Sequence, residues 1–404
     1  MVDTASKSLD ALLSDRARRG GPARLGDPRA SASKISFYAG FPDPASLPKA
    51  DIIEATRVAL ERDGEWALQY GATQGYSGLI DELLKKLARD QGIQAGSENV
   101  LITNGASQAI SLFVDLLVDP GDIVLSEVPT WSGAVANFRA AGADVREIPV
   151  DEHGTDVDAL ERTLNEVRAS GKQAKLLYVI PNFQNPTGVT TTLERRQRIV
   201  DLAREHGVPI VEDDAYYDLR YSGEQLPTLY TLGSDIPIVY MGTFSKIMAA
   251  GMRLGWAVGP AQIIARMAGL KHEGGTSPFA GQVAAEFCSS GTLVEHIHEL
   301  RSLYLSRRDA MLAALESHMP AGTRWTTPEG GFFIWVDLPE GVTASALQPL
   351  ANAQNVEFLP GSVCYFHGAG DSSVRLSYSF ADEAQIAEGI RILGELVTAE
   401  LERS

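Results

Sequence analysis

Apolar positions recur along this chain with two alternating periods. From residue 100 onward, short aliphatic or β-branched runs at 100–103, 123–126, 145–150, 176–180 and 210–212 read as buried strands. The runs at 236–241 and 254–258 read the same way. Between them lie stretches with apolar residues every three or four positions: 109–118, a helix opened by Pro129-Thr130-Trp131 and running to Ala141, 157–168 and 192–206. This alternation predicts an α/β fold with a mainly parallel sheet flanked by helices. Ahead of it, 34–40 carries a short strand signal that the turn Gly40-Phe41-Pro42-Asp43-Pro44 ends. A helix is predicted from Leu47-Pro48 to about Arg62. Another spans 77–90, with Leu79, Ile80, Leu83, Leu84 and Leu87 on one face.

Past residue 280 the texture changes. A long helical pattern at 292–318 leads to the apolar run 330–336. A helix near 344–353, strands at 356–359 and 374–378 and a final helix from about Asp382 follow. This predicts a smaller α+β domain. The expected organisation is a flexible or partner-ordered N-terminal arm over 1–34, a large domain over 46–280, and a small domain built from 35–45 and 281–404.

With 404 residues the chain can form two domains and a large core. Its net charge of −17 argues against nucleic acid or an anionic membrane surface as partner, without excluding a local anion pocket. No apolar run approaches the roughly 18–20 residues that span a bilayer. Cys288 and Cys364 stand far apart and outside any CxxC motif, so neither a metal site nor a disulfide is expected, and a reduced cytoplasm suits them. The arm lacks the apolar core of a signal peptide, and Asp3, Asp10, Asp15 and Asp27 argue against an organelle transit peptide.

Active sites of parallel sheets lie at the carboxyl ends of the strands, and the unusual turns of this chain gather there. In Gly242-Thr243-Phe244-Ser245-Lys246, the lysine is expected in a loop between two strands. Desolvation there would lower its pKa and make it a Schiff-base nucleophile, while Thr243, Ser245 and Arg253 suit a phosphate. Gly105-Ala106-Ser107-Gln108, where a strand enters a helix, is either an anion site or a plain helix start. Trp131 is a ring for stacking on a flat cofactor or for filling the core. Asn185-Pro186-Thr187-Gly188 is a rigid turn that aims the Asn185 amide, or a bare turn. Asp213 is a buried aspartate in need of a cation such as a protonated ring nitrogen, with Tyr216 placed to donate to a phenolate; the alternative is a helix cap and a core tyrosine. Arg375 alternates with apolar residues, which suits a carboxylate clamp or an internal salt bridge. Together these parts are the inventory that pyridoxal 5′-phosphate (PLP) requires.

In their order, Asn185-Pro186-Thr187-Gly188, Asp213-x-Ala215-Tyr216, Thr243-x-Ser245-Lys246, Arg253-Leu254-Gly255 and Arg375-Leu376-Ser377 resemble the class I/II aminotransferases of PLP fold type I. The nearest branch is that of the 2-aminoadipate, kynurenine and multisubstrate aromatic enzymes. The resemblance runs from Ser36 to the C-terminus. It implies a ping-pong transfer of an amino group between an L-amino acid and a 2-oxo acid, through a Schiff base on Lys246, which also moves the substrate proton. It implies that Asp213 holds the ring nitrogen, Asn185 and Tyr216 the ring oxygen, and Trp131 the ring face. Ala106, Ser107, Thr243, Ser245 and Arg253 would hold the phosphate, joined by Tyr70 of a neighbouring subunit, which makes the enzyme a homodimer with shared sites. Arg375 would clamp the substrate carboxylate, with Gly40, Asn185 and Arg24 of the arm lining the pocket. No metal is implied.

Trp131 stands where tyrosine is usual, Thr243 where serine is, and Ala250 where proline is common, while Tyr38 and Phe41 bracket Gly40. These departures leave open the substrate and, with it, racemisation, β-elimination or amino-acid oxidation on the same cofactor. A transcription regulator built on an aminotransferase-like domain is a further alternative, disfavoured by the short arm and the acidic charge.

Overall fold

The computed structural model describes residues 11–20 and 27–403. Arg24 lies outside the described residues. Along the chain the strands are β1 (Ile35–Phe37), β2 (Val100–Thr103), β3 (Ile123–Val128), β4 (Asp144–Asp151), β5 (Gly154–Thr155), β6 (Ala174–Val179), β7 (Ile210–Asp213), β8 (Ile238–Thr243), β9 (Gly255–Val258), β10 (Arg324–Trp325), β11 (Phe333–Asp337), β12 (Val356–Pro360) and β13 (Ser373–Ser377).

Eight of them form one sheet in the order β2-β9-β8-β7-β6-β3-β4-β5. The pairs among β8, β7, β6, β3 and β4 are parallel, whereas β9 is antiparallel to both β2 and β8. The sheet is therefore mainly parallel but mixed, and β2 runs in the same direction as β8. Successive residues of its strands enter opposite cores. Leu176, Tyr178 and Val211 pack under the helices Ala106–Leu117 and Ser132–Ala141. Leu177, Val179 and Ile210 pack under Val157–Ala169 and Leu193–His206. Burial on both faces is why these strands read as unbroken apolar runs rather than alternating ones.

The second sheet has the order β1-β12-β13-β11-β10, backed by the long helices Thr292–His318 and Glu383–Leu401. The short strand signal within 34–40 corresponds to β1, which joins this sheet parallel to β12 with Ile35 opposite Val356. The helix expected to end near Arg62 runs from Lys49 to Ala67, broken at Asp63, whose φ of −152° is not helical. Lys246 does not sit in an open loop. A wide helical turn, Ser245–Ala249, and a tight one, Ala250–Met252, fill the gap between β8 and β9, and Ile247 and Met248 are buried there. Two such short turns are below the length at which a helical period shows in sequence. Within the arm, the helix Asp15–Gly20 lies against Ser132–Ala141, with Arg16 paired to Asp115 at 2.8 Å. Among the described residues, no helix is long and apolar enough to cross a membrane.

Candidate active site

Because β2, β3, β6, β7 and β8 run in one direction, their carboxyl ends share one edge of the sheet. The chain leaves each of them at a residue group singled out above: Gly105–Ser107, Trp131, Asn185, Asp213 and Thr243–Lys246.

At β2, β9 and β8, Thr103, Gly255 and Thr243 stand in register. Gly105, at φ +80°, turns the chain into the helix Ala106–Leu117, whose first N–H groups have no acceptor one turn back. The packing here leaves no space for side chains. A Cβ on Gly255 would lie 2.6 Å from the Gly105 carbonyl carbon and 2.7 Å from the Ala106 nitrogen. A Cβ on Gly105 would lie 2.7 Å from Arg253 Nη2. Arg253 itself takes a left-handed φ of +54°, and its Nη2 donates to the Asn104 carbonyl at 3.2 Å. The Thr243 and Ser245 hydroxyls are 2.9 Å apart. A helix N-terminus, a guanidinium and two hydroxyls thus converge on a cradle that fits a phosphate.

Lys246 Nζ donates to the Gly40 carbonyl at 2.9 Å and lies 5.6 and 5.9 Å from the ring centres of Phe332 and Tyr216. Burial, and then the positive charges of Arg375 and Arg253, pull its pKa down to about 8 against the opposing pull of Asp213. A usable fraction of neutral amine therefore exists near neutral pH.

Asp213 ends β7. Its Oδ2 accepts a 2.6 Å hydrogen bond from the Tyr178 hydroxyl, while its buried Oδ1 has no partner. Burial raises its pKa to about 6, opposed first by the hydrogen bond from Tyr178. An orphaned buried acceptor costs about 1–3 kcal/mol, which a charged N–H donor would recover. The protonated ring nitrogen of PLP is such a donor, so the residues present fit the group.

Arg375 occupies the middle of β13, between Trp335 and Leu359. It donates to Asn185 Oδ1 at 2.9 Å and to the Tyr38 carbonyl at 2.5 Å, with its guanidinium 4.0 Å from the centre of the Phe333 ring. Among the described residues it pairs with no carboxylate, and its buried Nε has no partner. The Asn185 turn lies against β11 here: a Cβ on Gly188 would fall 2.5 Å from the Phe333 carbonyl oxygen.

Trp131 is half-buried ahead of the helix Ser132–Ala141, its ring folded over Gly133. Tyr216 is buried in edge contact with Phe332 and Phe333. Tyr70 is 89% exposed on the surface of the chain. Four contributors had no signal of their own in the sequence: Tyr178, which looks like any residue of an apolar strand; the Phe332-Phe333 wall; the Tyr38 carbonyl; and Glu127. Fully buried Glu127 accepts from Thr155 Oγ1 at 2.6 Å and the Ile180 N–H at 2.9 Å. It also accepts at 3.4 Å from Gln184 Nε2, whose own Oε1 accepts from Thr187 N–H, bracing the Asn185 turn.

The profile of aminotransferase class I and II matches residues 34–393. The chain belongs to the class I and II aminotransferases. Aromatic-amino-acid aminotransferase 1 of Thermococcus litoralis is 37% identical over 91% of this chain and 89% of its own. The 2-aminoadipate transaminase of Thermus thermophilus is 36% identical over 89% of each. A crystal structure of Pyrococcus horikoshii kynurenine aminotransferase in complex with PMP superposes with a TM-score of 0.92 at 37% identity, covering 98% of this chain and 100% of the other. This aminotransferase thus has the fold type I architecture, depends on PLP, and transfers an amino group between an amino acid and a 2-oxo acid.

Proposed function

We propose that this aminotransferase takes a large aromatic or apolar L-amino acid as donor in a ping-pong cycle, with Lys246 as Schiff-base lysine and proton carrier. When bound, PLP supplies an electron sink for the charge left at the substrate Cα. The chain's residues do the rest. Asp213 would accept from the ring nitrogen through Oδ1. Asn185 and Tyr216 would donate to the ring oxygen, and Trp131 would cover the ring face. Ala106, Ser107, Thr243, Ser245 and Arg253 would hold the phosphate. Arg375 would receive the substrate carboxylate, and Gly40 lies on the loop lining the substrate pocket. The observation that carries this reading is the orphaned, buried Asp213 Oδ1 on the same sheet edge as a lysine whose pKa is depressed. The rings of Phe332, Phe333 and Tyr216 around Lys246 and Arg375 support the preference for a large side chain, as do the relatives' names.

The exposed Tyr70, and the exposed Ile53, Trp66 and Leu68 on the helix and turn before it, support a homodimer in which Tyr70 reaches the phosphate of the other subunit. A large domain over 46–280, a small one from 35–45 and 281–404, and a cytoplasmic location complete the proposal.

The test is to mix the holoenzyme with single amino acids and no 2-oxo acid, following the visible spectrum and released ammonia. One equivalent of keto acid per site, with a spectral change that a 2-oxo acid reverses, is expected, and aromatic donors should react fastest. Continued turnover with ammonia would refute the ping-pong reading. Highest kcat/KM for small acidic donors would refute the specificity.

A further inference from the structure

We propose that Tyr178 is a positioning residue for the cofactor: its hydroxyl fixes the Asp213 carboxylate so that Oδ1 alone is left to meet the ring nitrogen. The inference rests on the role given above to Asp213. Tyr178 lies on β6 opposite Val211 of β7. Side chains two apart on a strand share a face, so Asp213 stands on the same face as Val211, one step further on and within diagonal reach of Tyr178. The hydroxyl closes that gap at 2.6 Å, between two buried groups. On its other side the Tyr178 ring is held edge-on by Phe138, with centres 5.6 Å apart and planes at 77°. Phe138 belongs to Ser132–Ala141, the helix that follows Trp131. The Trp131 helix and the Asp213 carboxylate are thereby tied through one phenol.

A tyrosine can only donate while it keeps its proton. Burial, and then the Asp213 charge, hold the Tyr178 pKa far above its usual value, so the phenol stays a donor throughout the working pH range. The carboxylate is the sole partner its hydroxyl has among the described residues. The other ionisable groups around Asp213 are Glu127 on β3, Asp214, Tyr216 and Lys246. Tyr178→Phe removes no charge from that set and leaves the ring in place.

A hydrogen bond to a buried charge is worth on the order of a tenfold change in an equilibrium or more. In the holoenzyme, Y178F should weaken PLP binding about tenfold and lower kcat about tenfold, with KM for the amino acid unchanged. Without the donor, Asp213 keeps its proton to higher pH. The acid limb of the kcat profile and the pH titration of the bound cofactor's absorbance should therefore move upward by about one pH unit. In an Asp213→Asn background, Y178F should add no further loss. Phe138→Leu, which loosens the ring and keeps the hydroxyl, should move the same titration in the same direction by less. That variant decides the matter if Y178F does not fold.

PLP affinity, absorbance titration and kcat all within twofold of wild type in Y178F would overturn the proposal, as would losses that persist undiminished in the Asp213→Asn background. A wild-type protein whose PLP cannot be fixed to Lys246 by borohydride would overturn the reading of the site itself, and this inference with it.

Discussion

Replacing Gly255 with alanine asks whether the phosphate cradle depends on the close approach of bare backbone. The added Cβ would stand 2.6, 2.7 and 2.9 Å from Gly105 C, Ala106 N and Gly105 Cα. Ordinary contact begins near 3.4 Å, so the overlap with the carbonyl carbon is about 0.8 Å. All three atoms are backbone, and none can swing aside. Gly255 is held in turn by its pairing with Thr103 and Thr243 in a sheet covered on both faces, so the turn at Gly105–Ala106 must move instead. Overpacking of this kind costs about 1–3 kcal/mol. It would also draw the N–H groups of Ala106 and Ser107 away from the position proposed for the phosphate by a large part of an ångström. Misaligning one hydrogen bond to a charged group costs roughly 1.5–3 kcal/mol, or about 10–100-fold in Kd.

Gly251, only a few residues upstream, provides the matched control, since a Cβ there would meet nothing within 4 Å. G251A should change stability by less than about 0.5 kcal/mol, or raise it slightly by restricting the unfolded chain. The assay is PLP titration of the apo-protein by fluorescence quenching, with thermal melts with and without PLP. G255A should lower apo Tm, weaken PLP binding at least tenfold and lose most of the PLP-induced rise in Tm, while G251A matches wild type. Wild-type PLP affinity in G255A would refute the argument that the cradle is set by backbone approach.

Other consequences follow from the charges. Lys246 is held near pKa 8, below its ordinary 10.5, first by burial and then by Arg375 and Arg253. The folded chain therefore carries a penalty that is full at pH 7 and relieved as pH rises from about 8 to 10.5. K246M should abolish transamination yet raise apo Tm at pH 7, a gain that fades towards pH 10.5. Glu127 is pushed up to about 7, chiefly by burial, from an ordinary 4.5. Its contribution to stability is full below pH 4.5 and is lost as pH climbs through 7, so E127Q should flatten the fall in apo Tm between pH 5 and 8, with Thr155 rotating its hydroxyl to accept from the new amide. R375K keeps the charge but not the fork that spans Asn185 and Tyr38. KM for amino acids should rise about tenfold or more while PLP affinity holds. W66E, on the exposed apolar face with Leu68 and Tyr70, should shift the protein towards monomer in analytical ultracentrifugation and weaken PLP binding.

What the sequence made readable follows from which groups carry the work. Strands covered on both faces must be apolar throughout, so the carboxyl-end edge of the large sheet could be traced from composition alone, and the polar residues just past each run stood out against it. Lys246 was conspicuous because Thr243, Ser245 and Arg253 surround it. The turns that hold it were not, since Ser245–Ala249 and Ala250–Met252 are too short to show a period. Tyr178 was hidden for the opposite reason: it sits within an apolar run, and only the register of β6 against β7 shows that its hydroxyl faces Asp213. For Arg375, a strand position between Val374 and Leu376 fitted a salt bridge as well as a clamp. The absence of any carboxylate beside it among the described residues is a tertiary fact.

The substrate was the least readable feature, and the structure gives a physical reason. Lys246 and Arg375 are both tied to the segment from Tyr38 to Gly40 through main-chain carbonyls. A carbonyl is the same whatever residue supplies it, so no side-chain pattern marks these contacts. The exception is Gly40, where a Cβ would fall 2.6 Å from Phe333 Cζ. Phe333 in turn lies under the Arg375 guanidinium, so a larger residue at position 40 would push the ring against the group proposed to hold the substrate carboxylate. The glycine is therefore required by the aromatic wall, and the wall by the arginine. On the proposed reading, substrate choice would depend on how closely a loop, a ring and a cation pack together, which no stretch of sequence records by itself.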